Sequence, residues 1–107
     1  MIRRYEVYWV KLDPVEGRET KKTRPCVVVS LDSMHASGMA VVCPLTTTLH
    51  PQWAHRIQVR CKGRPAEIMP DQIRAESLSR FGNRVCALGS KDAESLRQLL
   101  VRLYGTA

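Results

Sequence analysis

Short apolar runs separated by polar loops fill most of the chain. Residues 26–31, with the sequence CVVVSL, form a continuous apolar run, which is typical of a strand buried on both faces. Residues 55–61 alternate between apolar and polar side chains, as expected of a strand with one solvent-facing side. On these patterns we predict strands at 5–12, 26–31, 39–46, 55–61 and 83–88, and leave a sixth open at 66–70.

The C-terminal segment has a different period. Its apolar residues Ala93, Leu96, Leu99, Leu100, Leu103 and Tyr104 fall on one face at helical spacing. A capping residue at Ser90 or Asp92 and a stop at Gly105 bound a predicted helix at 90–104. A chain of 107 residues has room for one core. We therefore predict a single mostly-β domain over 1–107, a small barrel with a C-terminal helix.

The charge balance indicates a polyanionic partner. Seventeen Lys and Arg residues stand against ten Asp and Glu, which gives a net charge of +7. An excess of this size favours nucleic acid or an acidic protein as a partner. A basic surface that serves only solubility is the alternative interpretation.

The cysteines show no metal or redox motif. The four of them are Cys26, Cys43, Cys61 and Cys86, and no two stand in CxxC spacing. Each lies in an apolar run, where a free thiol behaves as a small hydrophobic side chain. No N-terminal signal peptide and no membrane span of about 18 residues is visible. We therefore expect a cytoplasmic protein with reduced thiols and no membrane association.

Four segments in order resemble one family. They are EVYWVKLDPVEG followed by Glu19, then TRPCVVVS, then VVCPLTT, and finally PDQIR at 70–74. Each is weak alone, but their order and spacing resemble the MazF/PemK family of toxin endoribonucleases over nearly the whole chain. The resemblance implies an SH3-like barrel, usually a homodimer, which cleaves single-stranded mRNA at short sequences without a metal or other cofactor. It also implies an antitoxin partner, a MazE-like protein with an acidic tail.

The resemblance also implies site residues. The family's proposed catalytic pair, the arginine of Arg-Pro and the threonine after Pro-x, falls on Arg24 and Thr46. The resemblance implies Glu19, Asp71 and Arg74 in RNA contact or activity, and we predict RNA contact also for Gln72 beside Asp71 and for the basic Lys21 and Lys22. The two lysines belong to the basic loop that precedes Arg24.

The chemistry of RNA cleavage suits the predicted pair. The 2′-OH of RNA is the nucleophile, so the protein must stabilise charge on the phosphoryl oxygens and help protons to move. A guanidinium such as that of Arg24 binds two phosphate oxygens and stays charged, and Pro25 restricts the backbone of Arg24 to an extended conformation. Thr46 can both donate and accept a hydrogen bond. Asp71 is the candidate general base, provided that burial raises its pKa.

Other interpretations of these residues remain open at this point. Arg24 could be an ordinary surface arginine, and Thr46 an ordinary threonine at the end of a strand. His50 and His55 could perform acid–base cleavage, although nothing visible in the sequence orients either ring. Trp53 between them could stack on a nucleobase or cover the end of the barrel. The alternative functions are a CcdB-like inhibitor of DNA gyrase and a nucleic-acid-binding barrel without activity.

Overall fold

The computed structural model describes residues 1–12 and 23–105. In these ranges seven strands precede one helix. The elements are β1 (Glu6–Lys11), β2 (Thr23–Val28), β3 (Met39–Thr46), β4 (Ile57–Cys61), β5 (Arg64–Ile68), β6 (Arg74–Ser77), β7 (Phe81–Ala87) and α1 (Ser90–Tyr104). The predicted mostly-β architecture with a C-terminal helix is confirmed.

The strands form one antiparallel sheet that curls on itself. Its order is β4-β5-β3-β2-β1-β7, and β6 pairs with the first half of β3. The second half of β3 pairs instead with β5. The outer strands β4 and β7 are not hydrogen-bonded neighbours, yet they contact each other across the curl. This curled sheet is the barrel that the sequence pattern predicted.

The apolar run of β2 is buried on both faces, as predicted. Val27 belongs to a core cluster on one side of the sheet, and Cys26 and Val28 belong to a second cluster on the other. Helix α1 closes the first cluster with Leu96 and Leu99, both buried. The predicted packing of the leucine face on the barrel is therefore confirmed for the middle of the helix.

The last turn of α1 departs from the predicted stripe. Leu103 and Tyr104 are exposed, although the hydroxyl of Tyr104 donates to the carbonyl of Pro70 at 2.9 Å. The apolar face of α1 is thus longer than the surface of the barrel against which it packs.

Strand β2 begins earlier than the sequence pattern predicted. It starts at Thr23, so Arg24 and Pro25 lie inside the strand and pair with Val10 and Trp9 of β1. Strand β3 pairs only with residues 26–28, so the start of β2 has an unpaired side. A proline, which has no N–H to donate, is tolerated at such an edge.

The hydrophobic pattern predicted strands β5 and β6 poorly or not at all. Strand β5 begins at Arg64, directly after a two-residue turn. Lys62 and Gly63 in this turn have φ angles of +54° and +76°, the backbone that a tight hairpin of this type requires. Strand β6 was not predicted, because its sequence RAES shows no alternation of apolar and polar residues. It is a strand because its backbone pairs with β3, which the sequence does not reveal.

The structure corrects the expectation of four reduced thiols. Cys61 and Cys86 form a disulfide between β4 and β7, with their Cα atoms 6.2 Å apart. Their separation of 25 residues gives no hint of this contact, since only the curl of the sheet brings the two strands together. Cys26 and Cys43 are free and buried as expected. Burial raises the pKa of both free thiols to about 12.

No helix in residues 1–12 and 23–105 is long and apolar enough to cross a membrane.

Candidate active-site cleft

A cleft of about 810 Å³ opens where the ends of several strands meet. The start of β2, the end of β3 and the β4–β5 hairpin all line it. Arg24 and Thr46 both line it. The curl of the sheet thus brings together the two residues that the sequence predicted as a pair.

Arg24 is held in this cleft by its backbone. It lies on β2 directly opposite Val10, and the next residue, Pro25, lies opposite Trp9. Its side chain is partly buried. Among the residues that the structure describes, no carboxylate pairs with its guanidinium, and Arg24 is one of the residues that line the cleft.

Thr46 is the last residue of β3 and begins a run of threonines along the cleft wall. Its Oγ1 accepts a hydrogen bond from the backbone N–H of Thr48 at 3.1 Å. This bond leaves the hydroxyl proton of Thr46 available, because the oxygen acts there as an acceptor. Thr47 and Thr48 also line the cleft. The wall therefore offers hydroxyl groups to a ligand held by Arg24.

The cleft is strongly cationic. Its lining includes the cations Arg24, Lys62 and Arg64, and no carboxylate among the described residues. Sequence reasoning missed Lys62 and Arg64. The Lys-Gly turn after an alternating strand was the available signal, since it predicts a hairpin tip, but only the fold shows that this tip lines the same cleft as Arg24. A site of this composition is suited to a phosphate-bearing ligand.

Asp71 lies outside the lining of this cleft. Its carboxylate oxygens accept two hydrogen bonds from Arg56, at 2.8 and 3.2 Å. Burial acts to raise the pKa of Asp71, but the hydrogen bonds from Arg56, a backbone hydrogen bond and the positive charge of Arg56 together hold the pKa below its ordinary value. The hypothesis of a base with a raised pKa is therefore wrong for Asp71. The adjacent Gln72 is exposed and is also absent from the lining.

Arg74, which was also predicted to contact RNA, is likewise absent from the described lining of this cleft. Arg74 lies on β6 opposite Val42, four positions along β3 from Thr46, or about 13 Å of strand. Its guanidinium pairs with the carboxylate of Glu76 at 2.5 Å. Glu19, Lys21 and Lys22 lie outside the described residues.

Glu67 is a buried carboxylate that sequence reasoning missed. It lies on β5 directly opposite Thr46, and its side chain is fully buried. It accepts hydrogen bonds from Arg56 at 2.6 Å, from Gln58 at 2.7 Å, and from both the backbone N–H and the ring Nδ1 of His50. Burial acts to raise the pKa of Glu67, but these hydrogen bonds lower it to about 2.

This network fixes the loop that follows Thr46. The ring of His50 is held by Glu67 and also stacks on Trp53, with ring centroids 3.7 Å apart and planes 12° apart. Arg56 lies over the same indole ring and joins Glu67 to Asp71. The sequence offered nothing to orient His50, whereas the structure orients it firmly. It does so outside the cleft lining, away from Arg24.

Within the described ranges, no group of three or more His, Cys, Asp or Glu side chains is arranged to hold a metal ion.

Comparison with known proteins defines the class. Residues 3–104 match the family model described as the PemK-like, MazF-like toxin of type II toxin–antitoxin systems. This match covers nearly the whole chain, so the chain belongs to the PemK/MazF toxin family.

Named relatives agree with the family. The chain is 33% identical to the endoribonuclease MazF9 of Mycobacterium tuberculosis, over 81% of this chain and 85% of that protein. It is 38% identical to the endoribonuclease MazF6 of the same species, over 45% of this chain and 42% of that protein.

Solved structures share the fold. A MazF from Deinococcus radiodurans superposes with a TM-score of 0.80 at 19% identity, covering 98% of this chain and 97% of that one. A mycobacterial endoribonuclease in complex with its cognate antitoxin superposes with a TM-score of 0.82 at 16% identity, covering 100% and 98%. At these identities the two structures support the fold alone.

Proposed function

We propose that this toxin is an endoribonuclease that cleaves single-stranded mRNA at short sequences, in the cleft lined by Arg24 and Thr46. Endoribonuclease activity follows from the family and from relatives that are named endoribonucleases. The finer statement concerns the site and its chemistry. The observation that carries it is the meeting of Arg24 and Thr46 in one cationic cleft without a carboxylate in its described lining.

The proposed reaction uses the RNA's own nucleophile. The 2′-oxygen attacks the adjacent phosphorus, the bond to the 5′-oxygen breaks, and the products are a 2′,3′-cyclic phosphate and a 5′-hydroxyl. Arg24 stabilises the charge that gathers on the phosphoryl oxygens. Thr46, whose proton is available, holds the 2′-OH or a phosphoryl oxygen in place. No step requires a metal.

Purified protein incubated with a long single-stranded RNA in EDTA tests this function. We expect discrete cuts in which the upstream fragment ends in a 2′,3′-cyclic phosphate and the downstream fragment begins with a 5′-hydroxyl. Intact RNA, or cutting that requires an added divalent metal, contradicts the proposal. A supercoiling assay with DNA gyrase in parallel addresses the CcdB-like alternative, since inhibition of gyrase together with intact RNA supports that alternative instead.

The antitoxin is proposed to use the same cations as RNA. Structures of MazF toxins with antitoxins exist for relatives of the same fold. An acidic, disordered tail that folds into the cleft beside Arg24, Lys62 and Arg64 would exclude RNA by occupying these groups. Replacement of both Lys21 and Lys22, which precede Arg24 in the sequence, by Glu should then weaken the binding of both ligands together. Loss of antitoxin binding with unchanged RNA affinity contradicts a shared site.

We further propose a homodimer that acts in the cytoplasm, where mRNA is found. The exposed apolar side chains at the end of α1, Val101, Leu103 and Tyr104, provide surface that a second subunit could cover. Sedimentation at micromolar concentration is expected to give twice the mass of one chain. A mass equal to a single chain at every concentration contradicts the dimer.

A further inference from the structure

Trp9 is an exposed aromatic side chain in the cationic cleft. It lies on β1, and 43% of its surface is exposed, whereas its neighbours Tyr8 and Val10 are 5% and 0% exposed. The cleft lining includes it together with Arg24. Because burial of a tryptophan is strongly favourable, an indole left half-exposed inside a cleft is a surface on which a ligand can pack.

The backbone around Trp9 restrains its side chain. Pro25 lies directly opposite on β2, one residue from Arg24. On the other side, Gly82 of β7 comes close enough that a Cβ at that position would lie 3.5 Å from the Cβ of Trp9. The Cα and Cβ of Trp9 therefore lie between two strands, and its half-exposed side chain lines the cleft.

The side chains beside Trp9 indicate what kind of ligand the cleft binds. The lining combines cations with apolar side chains such as Leu45, Pro65 and Val85. A phosphate alone needs only the cations. A nucleotide needs both kinds of surface, because its base stacks on aromatic side chains while its phosphate binds the cations.

The second tryptophan is a natural comparison. Trp53 is also 43% exposed, but it lies outside the cleft lining. Its ring already stacks on His50 at 3.7 Å and carries the guanidinium of Arg56 at 4.8 Å. The sequence left open whether Trp53 stacks on a nucleobase or covers the end of the barrel, whereas the site geometry favours Trp9 as the base-stacking residue.

We propose that Trp9 stacks on a nucleobase of the bound RNA, next to the phosphate that Arg24 holds. This inference rests on the proposed function. It adds a base-binding subsite to the cleft, so that Trp9 positions the substrate along the cleft while Arg24 acts on the phosphate.

Binding to an uncleavable RNA tests the subsite. The probe is a 2′-O-methyl oligonucleotide that spans the mapped cleavage sequence. Trp9→Leu is expected to weaken binding about 5- to 150-fold, the loss measured when a stacking aromatic is removed, and Trp9→Phe is expected to retain most of the affinity. The matched control, Trp53→Leu, should bind like the wild type. Because no charge is removed, Trp9→Leu should leave the salt dependence of binding unchanged.

A double-mutant cycle with the RNA identifies the stacked base. Abasic residues are placed one at a time along the oligonucleotide. At one position the abasic loss should be large for the wild type and nearly absent for Trp9→Leu, since both changes remove the same contact. Fluorescence of Trp53→Phe, which retains only Trp9, should be quenched by the oligonucleotide, and that of Trp9→Phe should not.

Additive losses at every abasic position, or quenching of Trp53 alone, overturn the proposal while leaving cleavage intact. A dimer that dissociates in Trp9→Leu, without quenching of Trp9 by RNA, also overturns it and assigns the residue to the subunit contact. If the wild type neither binds nor cuts RNA, the proposed function fails as well, and the two failures are thereby distinguished.

Discussion

Replacement of Arg24 by Ala is expected to lower RNA cleavage about 10²–10³-fold, the usual loss when one preorganised group that stabilises transition-state charge is removed. The fold should survive, because Pro25 and the strand pairing hold Arg24 rather than the reverse. No described carboxylate depends on its guanidinium for a partner. Single-turnover rates on the mapped cleavage sequence, with thermal unfolding measured in parallel, provide the check.

Two further variants test whether the loss of cleavage is specific to residues of the cleft. Thr46→Val keeps the β-branched shape and removes the hydroxyl, so it should also slow cleavage without unfolding the protein. Arg102→Ala removes the same charge from the exposed face of α1 and should cut RNA at the wild-type rate. Cleavage at nearly the wild-type rate by a folded Arg24→Ala protein would contradict the role of Arg24 in stabilising the transition state.

Replacement of Glu67 by Gln is expected to destabilise the protein by roughly 3 kcal/mol at neutral pH. Among the described residues, Arg56 then keeps only Asp71 as a carboxylate partner, and the neutral amide cannot accept all the hydrogen bonds that Glu67 accepts from Arg56, Gln58 and His50. The pKa of Glu67 is lowered from 4.5 to about 2 in the folded protein. A lowered pKa contributes stability that is fully present above the ordinary value and is lost as the pH falls through the folded value. The wild type should therefore lose stability between about pH 5 and pH 2 more steeply than Glu67→Gln does.

Glu94 is the matched control for this prediction. Its pKa is also lowered to about 2, through hydrogen bonds from Arg97 and Gln98, but it lies exposed on α1. Solvent screens such a pair, so Glu94→Gln should leave both the stability and its acid dependence nearly unchanged. Denaturant unfolding of the three proteins at several pH values is the measurement. Equal losses in the two variants contradict the assignment of the acid-sensitive stability to the buried network.

The sequence could predict features that depend on local pattern. The apolar run at 26–31 identified a strand buried on both faces, although the strand ends at Val28. Helical spacing identified the helix at 90–104, although its N-cap is Gly89 rather than the predicted Ser90 or Asp92. Arg24 and Thr46 could be named because each belongs to a short motif of the family that the chain resembles. The order of these motifs along the chain indicated that the two residues form the catalytic pair. These inferences needed no knowledge of which strands meet.

Features that depend on the curl of the sheet could not be predicted. The Cys61–Cys86 disulfide joins strands that are not neighbours in the sheet, so spacing alone left both thiols free. Glu67 reads as one polar residue in a short apolar stretch, and only its pairing opposite Thr46 makes it the centre of a network. The pKa of Asp71 was predicted in the wrong direction because its partner Arg56 lies 15 residues away in sequence.

The central claim is that the cleft of Arg24 and Thr46 cleaves RNA through the substrate's own 2′-OH. The most direct measurement uses an RNA with two copies of the mapped cleavage sequence, one of which carries a single 2′-deoxy nucleotide at the cut. In EDTA the wild-type protein should cut the unmodified copy and leave the modified copy intact, because the nucleophile is missing only there. Cleavage of both copies at the same rate contradicts the account, since another nucleophile must then attack the phosphate.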